Sequence, residues 1–167
     1  NLQYSQYIVQ ATVEGELGSV DPASAPMIRR RNNGRGEPDN DVFFGLAGAE
    51  VVGFDTDRTA FLGDYRTPAS PLAVERGSCS NSQAMGDNAC TTLQTRISLA
   101  PGESRDLIFV LGVGAPDESR DGLPTGREVL AQWATPQRVA EELETIRGEW
   151  AAHLAPLVDY VDLDGNL

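Results

Sequence analysis

Hydrophobic residues recur at every second position through most of the chain and at every third or fourth position near its end. Tyr7, Val9, Ala11 and Val13 alternate with Ile8, Gln10 and Thr12, the period of a half-buried strand that stops at Gly15. A loop over 19–26, a short strand over 27–31 and a polar turn over 32–40, rich in Gly, Asn and Pro, are expected next. Val42-Phe43-Phe44-Gly45-Leu46 and the stretch 50–54 are two more strand candidates. The best hairpin candidate comes later. Leu93, Thr95, Ile97 and Leu99 share one face, and Leu107, Phe109, Leu111 and Val113 share another. Between them, Ala100-Pro101-Gly102-Glu103 reads as a type II turn, because Pro presets φ at the first central position and Gly accepts positive φ at the second. Ile108 and Val110 are apolar too, so both faces of the second strand are expected to be buried, which implies two packed sheets.

The period changes near Thr125. Thr125 and Glu128 form a capping box for a short helix through Trp133. Thr135 then caps a longer helix, with Pro136 at the first helical position and an end near Ala155. Along it Val139, Leu143, Ile146, Trp150 and Leu154 make one apolar stripe, opposite Arg138, Glu141, Glu142, Glu144 and Arg147. That stripe either docks on the sandwich or faces something outside this chain. The expectation is that its inner part packs on the sandwich, since an isolated helix of this length is marginal. Trp133 and Trp150 read as core or docking contacts before sugar platforms.

Composition narrows the function classes. The chain has 167 residues, 25 acids against 13 bases and a net charge of −12, and every base is Arg. Such a surface repels nucleic-acid backbones and anionic lipid, and no apolar run approaches a membrane span. Arg29-Arg30-Arg31 with Arg35 is the local exception, read either as an anion-holding patch or as an exposed strand end or loop. Cys79 and Cys90 read as two free thiols in a cytoplasmic protein, with a disulfide as the alternative in an exported one. His153 is the single histidine, so neither a zinc site nor a Ser/His/Asp triad is expected, and the chain should hold no metal and no cofactor. The tail residues Asp162, Asp164 and Gly165 resemble part of a calcium loop, but Tyr160 would stand at the first ligand position and the twelfth is not reached, so that reading fails.

One ordered set of motifs is more specific than composition. Phe54-Asp55-Thr56-Asp57-Arg58-Thr59-Ala60-Phe61-Leu62-Gly63 is followed by Tyr65-Arg66, Pro71, Ala73-Val74-Glu75 and Cys79-Ser80-Asn81-Ser82. Gly86-Asp87-Asn88, Leu93-Gln94, Leu99-Ala100-Pro101-Gly102-Glu103 and Phe109-Val110-Leu111-Gly112 come after it in the same order. This resembles the N-terminal β-sandwich of glycoside hydrolase family 94, which includes cellobiose, cellodextrin and chitobiose phosphorylases and the related region of cyclic β-glucan synthases. The resemblance implies a mainly β fold, a two-sheet antiparallel supersandwich similar to galactose mutarotase, with C-terminal linker helices. It divides the chain into a sandwich over 1–124, expected to be truncated at its N-terminus, linker helices over 125–157 and, over 158–167, the start of a connection to an (α/α) barrel.

The resemblance also implies a division of labour. In the family an Asp of the barrel protonates the glycosidic oxygen while inorganic phosphate attacks the anomeric carbon from the other face. Phosphate is already a nucleophile, so no second catalytic carboxylate is needed. The chain itself is then non-catalytic, its partners being the barrel, a β-glucan or disaccharide substrate and, for the open stripe, a second copy. Gln3 and Tyr4 match a segment that carries a substrate-facing Arg in cellobiose phosphorylases; Tyr4 stands at the Arg position, so that guanidinium contact is lost. Arg58 is the third substrate-binding candidate, or else a brace paired with Asp55 or Asp57. The alternative class is a stand-alone carbohydrate-binding or adaptor module, with Tyr4, Tyr7 and Phe61 as its platforms.

Overall fold

In a computed structural model, residues 9–32, 40–84, 89–116, 118–119 and 122–162 are described. They fall into two compact units, 1–134 and 135–167. The first contains six strands, β1 (Val9–Glu14), β2 (Met27–Asn32), β3 (Asp41–Ala47), β4 (Val51–Asp57), β5 (Ala89–Thr95) and β6 (Ile108–Gly114). It also holds three short helices, α1 (Arg58–Leu62), α2 (Leu72–Arg76) and α3 (Gly126–Gln132). The strands form two antiparallel sheets, one in the order β1-β2-β3-β6 and a smaller one of β4 and β5.

The period-2 pattern sorts β3 into two faces, both buried towards its C-terminal end. Phe43 and Gly45 point to the side where α3 lies, and three glycines let that helix approach. A Cβ on Gly45 would stand 2.9 Å from Leu130, and one on Gly126 or Gly112 would stand 2.6 or 2.8 Å from the Phe43 ring. Leu46 points the other way and joins Ala49 and Val51 in a buried cluster, with Leu93 and Leu107 packed against it. This cluster links the two sheets, as the two-sheet expectation requires.

The expected hairpin is half right. Gly102 has φ +82° and the Glu103 N–H donates to the Ala100 carbonyl at 2.9 Å, so the turn forms. The strands beside it do not pair with each other: β5 pairs with β4, and β6 with β3. The expectation that both faces of β6 are buried also fails. Phe109, Leu111 and Val113 are 50%, 69% and 49% exposed, and Phe109 stacks on Phe44 with ring centroids 5.8 Å apart. Among the described residues β6 is the outer strand of its sheet, and the second sheet is only two strands wide.

The first three-quarters of the chain is also less purely β than its pattern suggests. Asp57 caps α1 by accepting from the Thr59 and Ala60 N–H groups, and Gly63 ends that helix at φ +85°. Pro71 precedes α2, which ends in a left-handed Gly77. The capping box of α3 forms as expected, with Thr125 and Glu128 each receiving the other's backbone N–H. In the second unit, α4 (Pro136–Asp162) runs past its expected end and through Pro156. Within this unit Val139, Leu143, Ile146, Trp150 and Leu154 follow one side of the helix as expected, and Trp150 meets His153 edge-on.

Candidate functional site

Three of the motif segments, 54–57, 79–82 and 93–94, meet on β4 and β5, whereas Phe109-Val110-Leu111-Gly112 lies on β6 and Gly86-Asp87-Asn88 lies outside the described residues. Asp55 lies in mid-strand and is fully buried. One of its carboxylate oxygens accepts from both the N–H and the hydroxyl of Ser80 (3.1 and 2.7 Å) and of Ser82 (3.0 and 2.7 Å). Burial alone would push this carboxyl up, but the hydrogen bonds from Ser82 and Ser80 outweigh it, and its pKa falls below the usual carboxylate value. Thr56, next in the strand and also buried, donates its hydroxyl to the Ala11 carbonyl at 3.1 Å and accepts from the Ala84 N–H at 2.8 Å.

Cys79-Ser80-Asn81-Ser82 is thereby held down as a strap. Asn81 adopts φ +57°, a region Asn tolerates better than most residues, and its Oδ1 accepts from the Phe54 N–H at 3.0 Å. Gln94 closes the other end, accepting from the Cys79 N–H at 2.9 Å and donating to the Gly77 carbonyl at 2.8 Å. The strap crosses β4 at Gly53, where a Cβ would sit 2.9 Å from the Gln94 oxygen. Both cysteines are free. Burial, helped by the Asp55 charge, pushes the Cys79 thiol up to about 11, so it stays protonated at neutral pH. Beside the strap, Phe61, Val74, Leu93, Gln94 and Thr95 line an open groove of about 410 Å³.

A second polar cluster lies at the end of the larger sheet. The Arg29 guanidinium binds Glu14, the buried Asp41 (Nε to Oδ2, 3.0 Å) and the Pro116 carbonyl. Arg127 donates to the carbonyls of Glu14 (2.8 Å), Pro22 (3.2 Å) and Ala25. Arg29 and Arg127 line a cavity of about 270 Å³ with Phe43 and Thr125. Arg29 is therefore neither an exposed strand end nor an open anion patch, because strand alternation turns it inward while Arg30 stays exposed. The buried carboxylates Asp41 and Asp55 are both engaged by fixed donors, an arrangement that braces loops and leaves neither one open to a substrate proton.

Of the expected site residues, Gln3 and Tyr4 lie outside the described residues, as does Tyr7. Arg58 is exposed at the first position of α1. Its expected pairing with Asp55 or Asp57 is corrected, since Asp55 faces the strap and Asp57 caps the helix. The loop is braced by Ser80, Ser82 and Gln94 instead, three residues present in the quoted motifs but not read as its anchors. Phe61 is half-buried in the groove wall, whereas Tyr65, which the sequence reading passed over as a platform, is fully exposed.

Comparison with known proteins follows the same residues. The family profile "Glycosyl hydrolase 94, supersandwich domain" matches residues 1–129. The solabiose phosphorylase of Paenibacillus borealis is 32% identical over 132 residues, which is 78% of this chain and 16% of that protein. The N,N'-diacetylchitobiose phosphorylase of Vibrio proteolyticus is 43% identical over 67 residues, 40% of this chain and 8% of that protein. The 3-O-beta-D-glucopyranosyl-beta-D-glucuronide phosphorylase of Paenibacillus borealis is 39% identical over 59 residues, 35% of this chain and 8% of that protein. The chain thus spans less than a fifth of the length of these relatives.

Proposed function

The chain belongs to the glycosyl hydrolase 94 supersandwich family, and from that membership we propose that it is the non-catalytic sandwich of a longer carbohydrate-active enzyme. That enzyme is a glycoside phosphorylase or glycosyltransferase that cleaves or builds β-linked glucans or disaccharides by inverting phosphorolysis. Catalysis resides in an (α/α) barrel of the same polypeptide, where an acid protonates the leaving oxygen and phosphate attacks the anomeric carbon. The segment 125–157 links sandwich to barrel, and the protein works in the cytoplasm, a location supported by its two unbridged cysteines. No helix of the described residues is long and apolar enough to cross a membrane.

The observation that carries this reading is the pair of open apolar surfaces. Phe109, Leu111 and Val113 on β6 and, separately, Val139, Leu143, Ile146, Trp150 and Leu154 on α4 are exposed rows at strand and helix spacing. Ordered apolar rows of this kind mark surfaces that pack against further protein. The engaged state of Asp41 and Asp55 supports the non-catalytic role. The test is phosphate-dependent release of sugar 1-phosphate from β-linked disaccharides. The longer polypeptide encoded by the same gene should catalyse it and the 167-residue chain should not. Turnover by the chain alone would overturn the non-catalytic assignment.

A further inference from the structure

Both sheets of the first unit begin at the strap and end in a strand with one free edge. Asp55 pairs in parallel with Ser82 and in antiparallel register with Thr92, so the strap and β5 lie on opposite edges of β4. Two residues beyond the strap, the Ala84 carbonyl accepts from the Ala11 N–H at 3.4 Å, and Thr56 donates its hydroxyl to the Ala11 carbonyl at 3.1 Å. These bonds tie that side to β1, the first strand of the larger sheet. At the other side β5 and β6 each have one strand neighbour among the described residues. The facing side chains divide in the same way. Ala11, Ile28 and Leu46 are buried, whereas Val42, Phe109, Leu111 and Val113 are exposed. Register places Phe109 beside Leu46, Leu111 beside Phe44 and Val113 beside Val42, so across β3 and β6 the open apolar face continues the buried one without a polar break.

β6 carries none of the usual devices that guard a free edge. Its seven residues, Ile108–Gly114, include no charged side chain, no proline and no bulge. From this we propose that the open side is an interaction surface for further β-strands of the longer polypeptide. One of them pairs with the free edge of β6, and the second layer continues beyond β5 to cover Phe109, Leu111 and Val113. Continuity with the cluster of Leu46, Ala49 and Val51 selects strands as the occupant, because that cluster is already a contact between two sheets. A helix would cover the side chains but leave the outward N–H and C=O groups of β6 without partners. A second copy would set another net charge of −12 against the first. The strand on β6 carries apolar residues at every second position, which extend the same row. That these strands come from the same polypeptide rests on the proposed function above.

The test is residue-resolved hydrogen exchange, read by mass spectrometry, on the longer polypeptide encoded by the same gene. Every second N–H of an edge strand faces away from its one neighbour, so an unpaired β6 exchanges in alternation. Pairing on both edges should make protection uniform over 108–114 and slow the outward amides at least about 100-fold relative to the 167-residue chain. Alternation that persists in the longer polypeptide overturns the proposal, whatever covers the side chains. Uniform protection already present in the 167-residue chain overturns it too. Protection that is lost on dilution, in either protein, assigns the edge to a second copy and does the same. The pattern within the longer polypeptide is decisive by itself, so the outcome does not depend on the 167-residue chain folding alone. Leu111→Lys gives a second readout: it should shift the melting temperature of the 167-residue chain by less than about 2 °C and lower that of the longer polypeptide by at least about 4 °C. Small and equal shifts in both overturn the proposal. Phosphorolysis is read separately: turnover with alternating protection removes only this proposal, and uniform protection without turnover removes only the phosphorylase reading.

Discussion

The strap over β4 and the outer strand β6 belong to one small unit, yet their surfaces are finished in opposite ways. Under the strap, buried polar groups are matched one to one: the Asp55 carboxylate takes four donors, Thr56 both gives and receives, and Gln94 uses both ends of its amide. Along β6, three large apolar side chains alternate outward with nothing laid over them in the described residues. Hydrogen-bond networks of the first kind fix one geometry because each member left unpaired is heavily penalised. Apolar rows of the second kind fix none until another surface arrives. The unit therefore carries its specificity where it is closed, and its adhesiveness where it is open.

The sharpest way to break this contrast is to remove the carboxylate at its centre. Asp55→Ala should lower stability by roughly 3–5 kcal/mol, since it strands the N–H groups of Ser80 and Ser82 beneath the strap. Urea unfolding measures this, and a loss below about 1 kcal/mol would mean that the strap holds without Asp55. The same group sets a pH dependence. Its folded pKa is depressed, so its contribution is complete above the unfolded value near pH 4 and is lost as pH falls through the folded value. Unfolding followed from pH 6 downward should therefore show an acid limb that flattens in Asp55→Ala.

Thr56→Val comes next. It keeps the shape but leaves the Ala84 N–H unpaired, for an expected loss of about 1–3 kcal/mol. The smallest effects belong to the open side. Leu111→Lys and Trp150→Ala, both at exposed positions, should each change the isolated chain's stability by less than about 0.5 kcal/mol. If Trp150→Ala unfolds the chain substantially, its side chain is buried in solution and the division between closed and open surfaces fails at α4.

How far each region could be read in advance follows from how local its signals are. The turn at 100–103 and both capping segments at 125–128 and 135–138 were legible because each is decided within four residues. The pairing of β5 and β6 was not, since alternation states which face a residue occupies and not which strand lies alongside. Five-residue helices such as α1 and α2 are too short to display a 3.6-residue period, although Asp57, Gly63 and Gly77 carried their end signals. The strap was visible as a string of small polar residues, but its anchor lies 25 and 27 positions away at Asp55. Arg29 was misread for a related reason. In a run of three arginines the eye sees charge, while the strand places neighbours on opposite faces and the inward one finds Asp41 across the sheet.

The Arg127 guanidinium ties the carbonyls of Glu14, Pro22 and Ala25 to a helix 113, 105 and 102 positions later. Synthesis must therefore run on through β2 to β6 and reach α3 before the turn beyond β1 acquires these bonds. Contacts of such long sequence separation form late, and until they do the carbonyls of that turn remain hydrated. The turn after β1 thus matures late, although it is synthesised well before the helix it is tied to.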